Sequence, residues 1–192
     1  MSEQPRGRSS SRERILDAAA QLVCEVGAGR LTLDAVAERS GLSKGGLLYS
    51  FPTKEALLRG MVERMVGEAL SEKARLQSAL AHRPNAAARV AIAICQSMRC
   101  KHSPDVATGL LAASAENPTL LDPIREAIVA GWGEVKETSE NRRASMIAWL
   151  ANEGLRALDM HGISPLTPED REECASALEQ LLDNGIAGPK AG

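Results

Sequence analysis

The chain has 192 residues, enough to bury a sizeable core, and its 44% hydrophobic and 25% charged residues exclude an intrinsically disordered protein. Aromatic residues make up only 2%, so Ala, Leu, Val, Ile and Met, which are mostly helix formers, supply nearly all of the core. We therefore predict an all-α fold. The net charge of −2 does not indicate a bulk attraction to nucleic acid.

The spacing of the apolar residues predicts about nine helices and no strand. The predicted ranges, in chain order, are about 11–26, 33–40, 44–49, 54–81, 86–98, 106–115, 123–137, 141–161 and 169–184. The first helix carries one apolar stripe, formed by Ile15, Leu16, Ala19, Leu22, Val23 and Val26. Polar residues that can cap the start of a helix precede five of these ranges: Thr32, Ser43, Thr53, Asn85 and Thr167.

Residues 34–49, "DAVAERSGLSKGGLLY", have the composition of a helix-turn-helix, whose second helix can enter a DNA major groove. Ala37 is small where two helices would cross, and Gly41 permits the tight turn. The spacing predicts that Val36, Leu47 and Leu48 are buried against the first helix. The exposed face would carry four small or cationic residues: Ser43, Lys44, Gly45 and Gly46. Because many helical hairpins have a glycine in the turn, an ordinary hairpin is the alternative.

The longer run "GRLTLDAVAERSGLSKGGLLYSFPTKEALLRGMV" resembles the DNA-binding domain of the TetR family of bacterial transcriptional regulators over roughly residues 10–62. The resemblance implies phosphate contacts from Thr32, Tyr49 and Lys54, which would fix register without reading sequence. It also implies that the helix beginning at Ser43 reads bases. Lys44 is the long donor for guanine there, and Gly45 and Gly46 would allow close approach. Leu48 and Ser50 depart from the family pattern, where many members have Tyr, and His or Tyr.

We divide the chain into a flexible basic arm (1–9), a helix-turn-helix domain (10–55) and a domain for effector binding and dimerisation (56–192). Residues 1–55 hold eight Lys and Arg against seven Asp and Glu, a nearly neutral balance. Arg6, Arg8 and Arg12 at the front could contact the minor groove or phosphates, or could form a solvated tail.

The resemblance implies that the C-terminal helices bind a small-molecule effector and build a homodimer that reads a palindromic operator. Candidate effector-lining residues are Met65, Cys95, Met98, Leu111 and Trp132, and ordinary core is the alternative for each. The dimer would form through the last two helices, and ordinary intramolecular core is the alternative for the individual side chains. Their apolar stripes comprise Met146, Trp149, Leu150, Leu155 and Leu158 on the first, and Ala175, Leu178, Leu181 and Leu182 on the second.

We expect no metal and no cofactor, and sensing of a metal or of thiol oxidation is the alternative to buried structural thiols. Cys95, Cys100 and His102 form C-x4-C-x-H, but residues five apart on a helix point about 140° away from each other, a poor chelating geometry. The four cysteines are expected to be free thiols of a cytoplasmic protein, because the chain has no secretory signal and no apolar run that could span a membrane.

The sequence contains no P-loop, nucleophile elbow, zinc-protease or dinucleotide-binding motif, so we expect no enzyme. The remaining rival is an all-α module that binds a small molecule or a protein and has no specific affinity for DNA.

Overall fold

The structure is a computed structural model that describes residues 10–99 and 103–186. Within these residues the fold is all α and contains no strand, as predicted. Nine α-helices are present in them: α1 (Ser11–Arg30), α2 (Leu33–Ser40), α3 (Lys44–Ser50), α4 (Lys54–Leu80), α5 (Ala86–Arg99), α6 (Pro104–Ala113), α7 (Asp122–Thr138), α8 (Arg142–Met160) and α9 (Pro168–Asn184). A short 3-10 helix, Pro118–Leu121, precedes α7 and was not predicted. No described helix is long and apolar enough to cross a membrane.

The described residues form two compact units. The first contains 10–64 and 105–121, and the second contains 65–99, 103–104 and 122–186. The long helix α4 contributes to both, because it passes from one unit to the other after Arg64. The functional division that we place between residues 55 and 56 falls inside α4 and remains a prediction.

In the first unit, α1, α2 and α3 pack against one another, and the apolar stripe of α1 faces inward. Five of its six predicted members are buried: Ile15, Leu16, Ala19, Leu22 and Val23. Gly27, with φ of +78° and ψ of 156°, interrupts α1. Glycine adopts this conformation more readily than other residues, which explains why the predicted helix ends at Val26.

Helix α6 also belongs to the first unit, although more than 70 residues separate it from α1. A Cβ atom at Gly109 would lie 2.7 Å from Val23 Cγ1, so the missing side chain allows α6 to lie directly on α1. Val106 and Leu110 are buried on the same helix. The sequence indicated this helix, but gave no sign of the helix it packs against.

The second unit has a core to which α5, α7, α8 and α9 contribute. Its buried residues are Ala88, Ile92, Val135, Ala148, Leu178 and Leu182. Asn85 precedes α5, as predicted, and its backbone carbonyl accepts from the Arg89 N–H at 3.2 Å, while its side chain joins two distant segments. Its Nδ2 donates to the Leu182 carbonyl at 2.8 Å, and its Oδ1 accepts from the Asn141 backbone N–H at 2.8 Å. These two side-chain bonds were not predicted, because the partners lie far away in the sequence.

Candidate nucleic-acid interface

Local hydrogen bonds define both helices of the predicted helix-turn-helix. Thr32 Oγ1 accepts from the Ala35 N–H at 3.3 Å at the start of α2, and Ser43 Oγ accepts from the Gly46 N–H at 3.1 Å at the start of α3. Gly41 ends α2 in the left-handed conformation, with φ of +67° and ψ of 30°. These predictions are confirmed, and the turn has the geometry that a recognition helix requires.

Two buried side chains, Leu47 and Phe51, seat α3 on the first unit. A Cβ atom at Gly60 would lie 2.5 Å from Phe51 Cε1, so α4 approaches the phenyl ring closely because residue 60 has no side chain. The guanidinium of Arg12 lies over the ring, 5.2 Å from its centroid. Phe51 is therefore held between α1 and α4, and α3 has a fixed position.

Leu48 corrects one expectation, because its side chain is 36% exposed rather than buried. Neighbouring residues on a helix point about 100° apart, so the burial of Leu47 turns Leu48 toward solvent. The adjacent Tyr49 is 93% exposed. Ser43, Lys44, Gly45 and Gly46 are exposed as well, so α3 presents an open surface with one aromatic residue.

Both lysines predicted to contact DNA have partners within the first unit. Lys44 Nζ lies 2.8 Å from Asp34 Oδ1, in an ion pair that joins α3 to α2. Lys54 Nζ donates to the Gly29 carbonyl at 2.6 Å, at the end of α1. Because an ammonium group has three N–H donors, each lysine can still donate to a further acceptor.

The basic arm is only partly described. Arg6 and Arg8 lie outside the described residues. Arg12 belongs to α1, where its guanidinium stacks on Phe51 and lies 3.8 Å from Glu63 Oε2. Arg12 is therefore part of the packed unit rather than of a free arm.

The candidate effector residues are distributed over both units. Met65, Cys95, Met98 and Trp132 belong to the second unit and Leu111 to the first, and all five are half-buried. The Trp132 ring packs on the Trp149 ring with centroids 4.8 Å apart.

Cys95 has the properties of a structural thiol. Burial, followed by the negative charge of Glu153, raises its pKa above the ordinary value, so the thiol is protonated at neutral pH and a weak nucleophile. Cys100 and His102, the other members of the C-x4-C-x-H pattern, lie outside the described residues. Within the described ranges, no group of three or more His, Cys, Asp and Glu side chains could hold a metal ion.

Sequence reasoning missed two buried polar residues on α8. Asn152 is 5% exposed and Ser145 is fully buried; the Ser145 Oγ has no hydrogen-bond partner in the described part of the chain, whereas the Asn152 side chain interacts with the Cys95 thiol. Ser145 and Asn152 are seven apart, on the inward face that also carries Ala144 and Ala148. The sequence signal that could have predicted their burial was the spacing of Ser145 and Asn152, which places both on the same helix face as small apolar residues.

The predicted dimer stripes divide into core and surface. Leu178 and Leu182 are buried in the core of the second unit, with Trp149, Leu155 and Leu181 packed against it. On α8, Leu150 is 57% exposed, and Ile147, which was not in the predicted stripe, is 50% exposed. Met146 and Leu158 of the predicted stripe are half-buried, and dimerisation through these helices remains a prediction.

Comparisons with known proteins agree with this arrangement. Residues 15–61 match the family model described as bacterial regulatory proteins, tetR family, and residues 85–183 match the model of the tetracyclin repressor-like, C-terminal domain. No curated protein matches the sequence.

Solved structures of regulators have a similar fold. A transcriptional regulator from Rhodococcus sp. Rha1 is 19% identical, with a TM-score of 0.67 over 93% of this chain and 100% of its own. One from Aquifex aeolicus VF5 is 18% identical, with a TM-score of 0.68 over 90% of this chain and 99% of its own. The multidrug binding protein EbrR, complexed with malachite green, is 18% identical, with a TM-score of 0.67 over 89% of this chain and 97% of its own. Since the C-terminal family model alone spans more than half of the sequence, the chain belongs to the TetR family of DNA-binding bacterial transcriptional regulators.

Proposed function

We propose that this regulator is a homodimeric repressor that binds a palindromic operator in the cytoplasm and is released by a small-molecule effector. The observation that carries the DNA-binding part is the exposure of Tyr49, at 93%, between the buried residues Leu47 and Phe51. An aromatic side chain that leaves the core contributes little to folding, whereas its phenol can donate to a DNA phosphate.

The contacts to DNA follow from the exposed surface of the helix-turn-helix. Thr32, Tyr49 and Lys54 would bind phosphates and fix the register of the protein on the duplex. Lys44 would donate to the O6 and N7 acceptors of a guanine. Ser43, Gly45 and Gly46 would lie close to the base edges, since a Cβ at Gly45 would meet no atom within 4 Å and the surface there is open.

A homodimer is supported by the size of the recognition surface and by the outward face of α8. One recognition helix reads only a few base pairs, whereas two helices about 34 Å apart can read both halves of a palindrome. Ile147 and Leu150 are half-exposed apolar residues on α8, and burying them against the same residues of a second copy would form an isologous interface. The last two helices therefore remain the proposed site of dimerisation.

The effector is proposed to bind the second unit. Met65, Cys95, Met98 and Trp132 are apolar or weakly polar and favour an apolar or amphipathic molecule, whereas Leu111 belongs to the first unit and is not included in this proposal. Malachite green, which EbrR binds, has this character and serves as the probe. Trp132 and Trp149 are the two tryptophans of the chain and both lie in the second unit, so their fluorescence reports binding there.

The test begins with selection of operators from a random DNA pool by the full chain, followed by fluorescence anisotropy and sedimentation. We expect a palindromic sequence, one dimer per site, and affinity that falls as salt rises. Lys44→Ala should weaken binding to the selected site more than binding to random DNA. Arg125→Ala is the matched control, because it removes an exposed cation from α7 in the second unit and the side chain of its partner, Asp122, is exposed as well.

Two outcomes separate this proposal from its rival. If no DNA is retained at low salt while malachite green quenches the tryptophans, the protein is a small-molecule binding module without specific DNA binding. If Lys44→Ala and Arg125→Ala both leave the selected and random affinities unchanged, DNA is bound but Lys44 does not read it.

A further inference from the structure

The ion pair between Asp34 and Lys44 places a carboxylate beside the residue proposed to read bases. Asp34 Oδ1 lies 2.8 Å from Lys44 Nζ, and the side chains are 71% and 62% exposed. Such exposed pairs contribute little to stability because water solvates and screens both charges. The pair therefore adds little to the free energy of unfolding, and we expect its main effect on DNA binding by Lys44.

We infer that Asp34 sets the DNA-sequence selectivity of the protein by holding the ammonium group of Lys44. This inference rests on the proposed function, in which Lys44 faces the major groove. A carboxylate 2.8 Å from the ammonium must then also lie near the DNA surface, where it repels phosphates. It also occupies one of the three N–H donors of Lys44 and restricts the direction of the other two.

On random DNA, the pair suppresses a general electrostatic contact. A free lysine would neutralise a phosphate and release a counterion, and this is the sequence-independent part of DNA binding. The ion pair of Lys44 with Asp34 has no net charge, so it attracts phosphates weakly and adds little to the affinity for non-specific sites. The paired lysine gains from DNA only where the two remaining donors reach strong acceptors in a fixed direction.

On the operator, the O6 and N7 acceptors of a guanine meet this requirement. Lys44 can donate to both while its third N–H stays on Asp34, so Asp34 acts as a positioning residue and Lys44 touches the base. Other base pairs do not present two acceptors side by side in the major groove. The Asp34–Lys44 pair thus reduces affinity for other DNA sequences more than affinity for the operator.

The experiment compares Asp34→Asn with the unmodified chain, using the operator selected from a random pool and a random duplex of equal length. We expect the substitution to raise affinity for the random duplex about threefold to tenfold, and to steepen the slope of log K against log salt by about one. Affinity for the operator should change less, so the ratio of operator affinity to random-duplex affinity should fall. Sequencing of the DNA bound by the variant should show a weakened preference for guanine at one position of each half-site.

Three further variants test whether Asp34 acts through Lys44. Asp17→Asn removes one exposed carboxylate from the same unit. Asp17 pairs with Arg64, at 2.7 Å, and not with Lys44, so this variant should leave the ratio of operator affinity to random-duplex affinity unchanged. Asp34→Glu keeps a carboxylate and should restore much of the selectivity. In a Lys44→Ala background, Asp34→Asn should no longer change the base preference.

The failure of the inference differs from the failure of the proposed function. A chain that retains no DNA from the pool would overturn the proposed function. A chain that selects an operator but shows the same affinity ratio, salt slope and base preference with Asp34→Asn would overturn the inference alone. The inference would also be overturned if Asp34→Asn weakened the base preference equally in the unmodified chain and in the Lys44→Ala background. Asp34 would then act directly on DNA or through folding.

Discussion

Replacing Gly60 with Ala should destabilise the first unit, although alanine favours a helix. Within α4 the substitution gains about 1 kcal/mol of helix propensity. The new Cβ would lie 2.5 Å from Phe51 Cε1 and 3.1 Å from Cζ, which is closer than carbon atoms approach without displacement. Overpacking of this kind costs about 1–3 kcal/mol, so we expect a net loss of about 1 kcal/mol. Because Phe51 is buried, the ring can move only by displacing its neighbours.

Gly67→Ala is the matched control on the same helix. A Cβ at Gly67 meets no atom within 4 Å, so only the propensity term applies and stability should rise by about 0.5–1 kcal/mol. Urea unfolding followed by far-UV circular dichroism measures both variants. Anisotropy with operator DNA should show weaker binding for Gly60→Ala alone, since Phe51 seats α3. If both alanines raise the unfolding midpoint equally, Phe51 does not pack on Gly60 and the proposed seating of the recognition helix is wrong.

Two further predictions concern single polar groups. Tyr49→Phe should leave the unfolding midpoint unchanged, because the side chain is 93% exposed, and should weaken operator binding about threefold to tenfold by removing one hydrogen bond; equal anisotropy titrations would exclude the phenol as a contact. Burial raises the pKa of Cys95, so the folded state holds this proton more tightly than the unfolded state. The resulting stability is present at neutral pH and is lost as pH rises above about 8.5. Urea unfolding at pH 8 and pH 10 should therefore show a smaller loss for Cys95→Ala than for the unmodified chain.

The helix ends were predictable from the sequence because their hydrogen bonds are local. Thr32, Ser43 and Thr167 each accept from a backbone N–H three residues later, so a short window of sequence contains both partners. Gly41 is equally local, since the left-handed conformation is a property of one residue. The same locality makes the helix-turn-helix the most predictable part of this chain.

Contacts between distant segments were not predictable in this way. The approach of Gly109 to Val23, and the two hydrogen bonds of the Asn85 side chain, join residues between 56 and 97 positions apart. The partner of Lys44 was missed for a different reason. Asp34 is only ten residues away, but its direction depends on how the turn at Gly41 places α3 against α2.

Net charge was the best argument for a module that does not bind DNA, since residues 1–55 are nearly neutral. The structure shows how these charges are paired. Within residues 1–55, Glu25 pairs with Arg39 and Asp34 pairs with Lys44, and Asp17 pairs with Arg64, which lies outside this range. The Arg39 guanidinium also holds the pKa of Glu25 below its ordinary value, so that carboxylate remains charged and paired.

The same pairing limits how strongly the protein can bind random DNA. Asp34 offsets the charge of Lys44, whereas Lys54 donates to the neutral Gly29 carbonyl and keeps its positive charge. Since the salt dependence of binding counts the phosphates that are neutralised, the slope of log K against log salt on random DNA should be shallower than it would be with an unpaired Lys44. Affinity for random DNA would then be low. A few directed contacts from α3 to bases would be sufficient to make the affinity for the operator much higher than the affinity for random DNA.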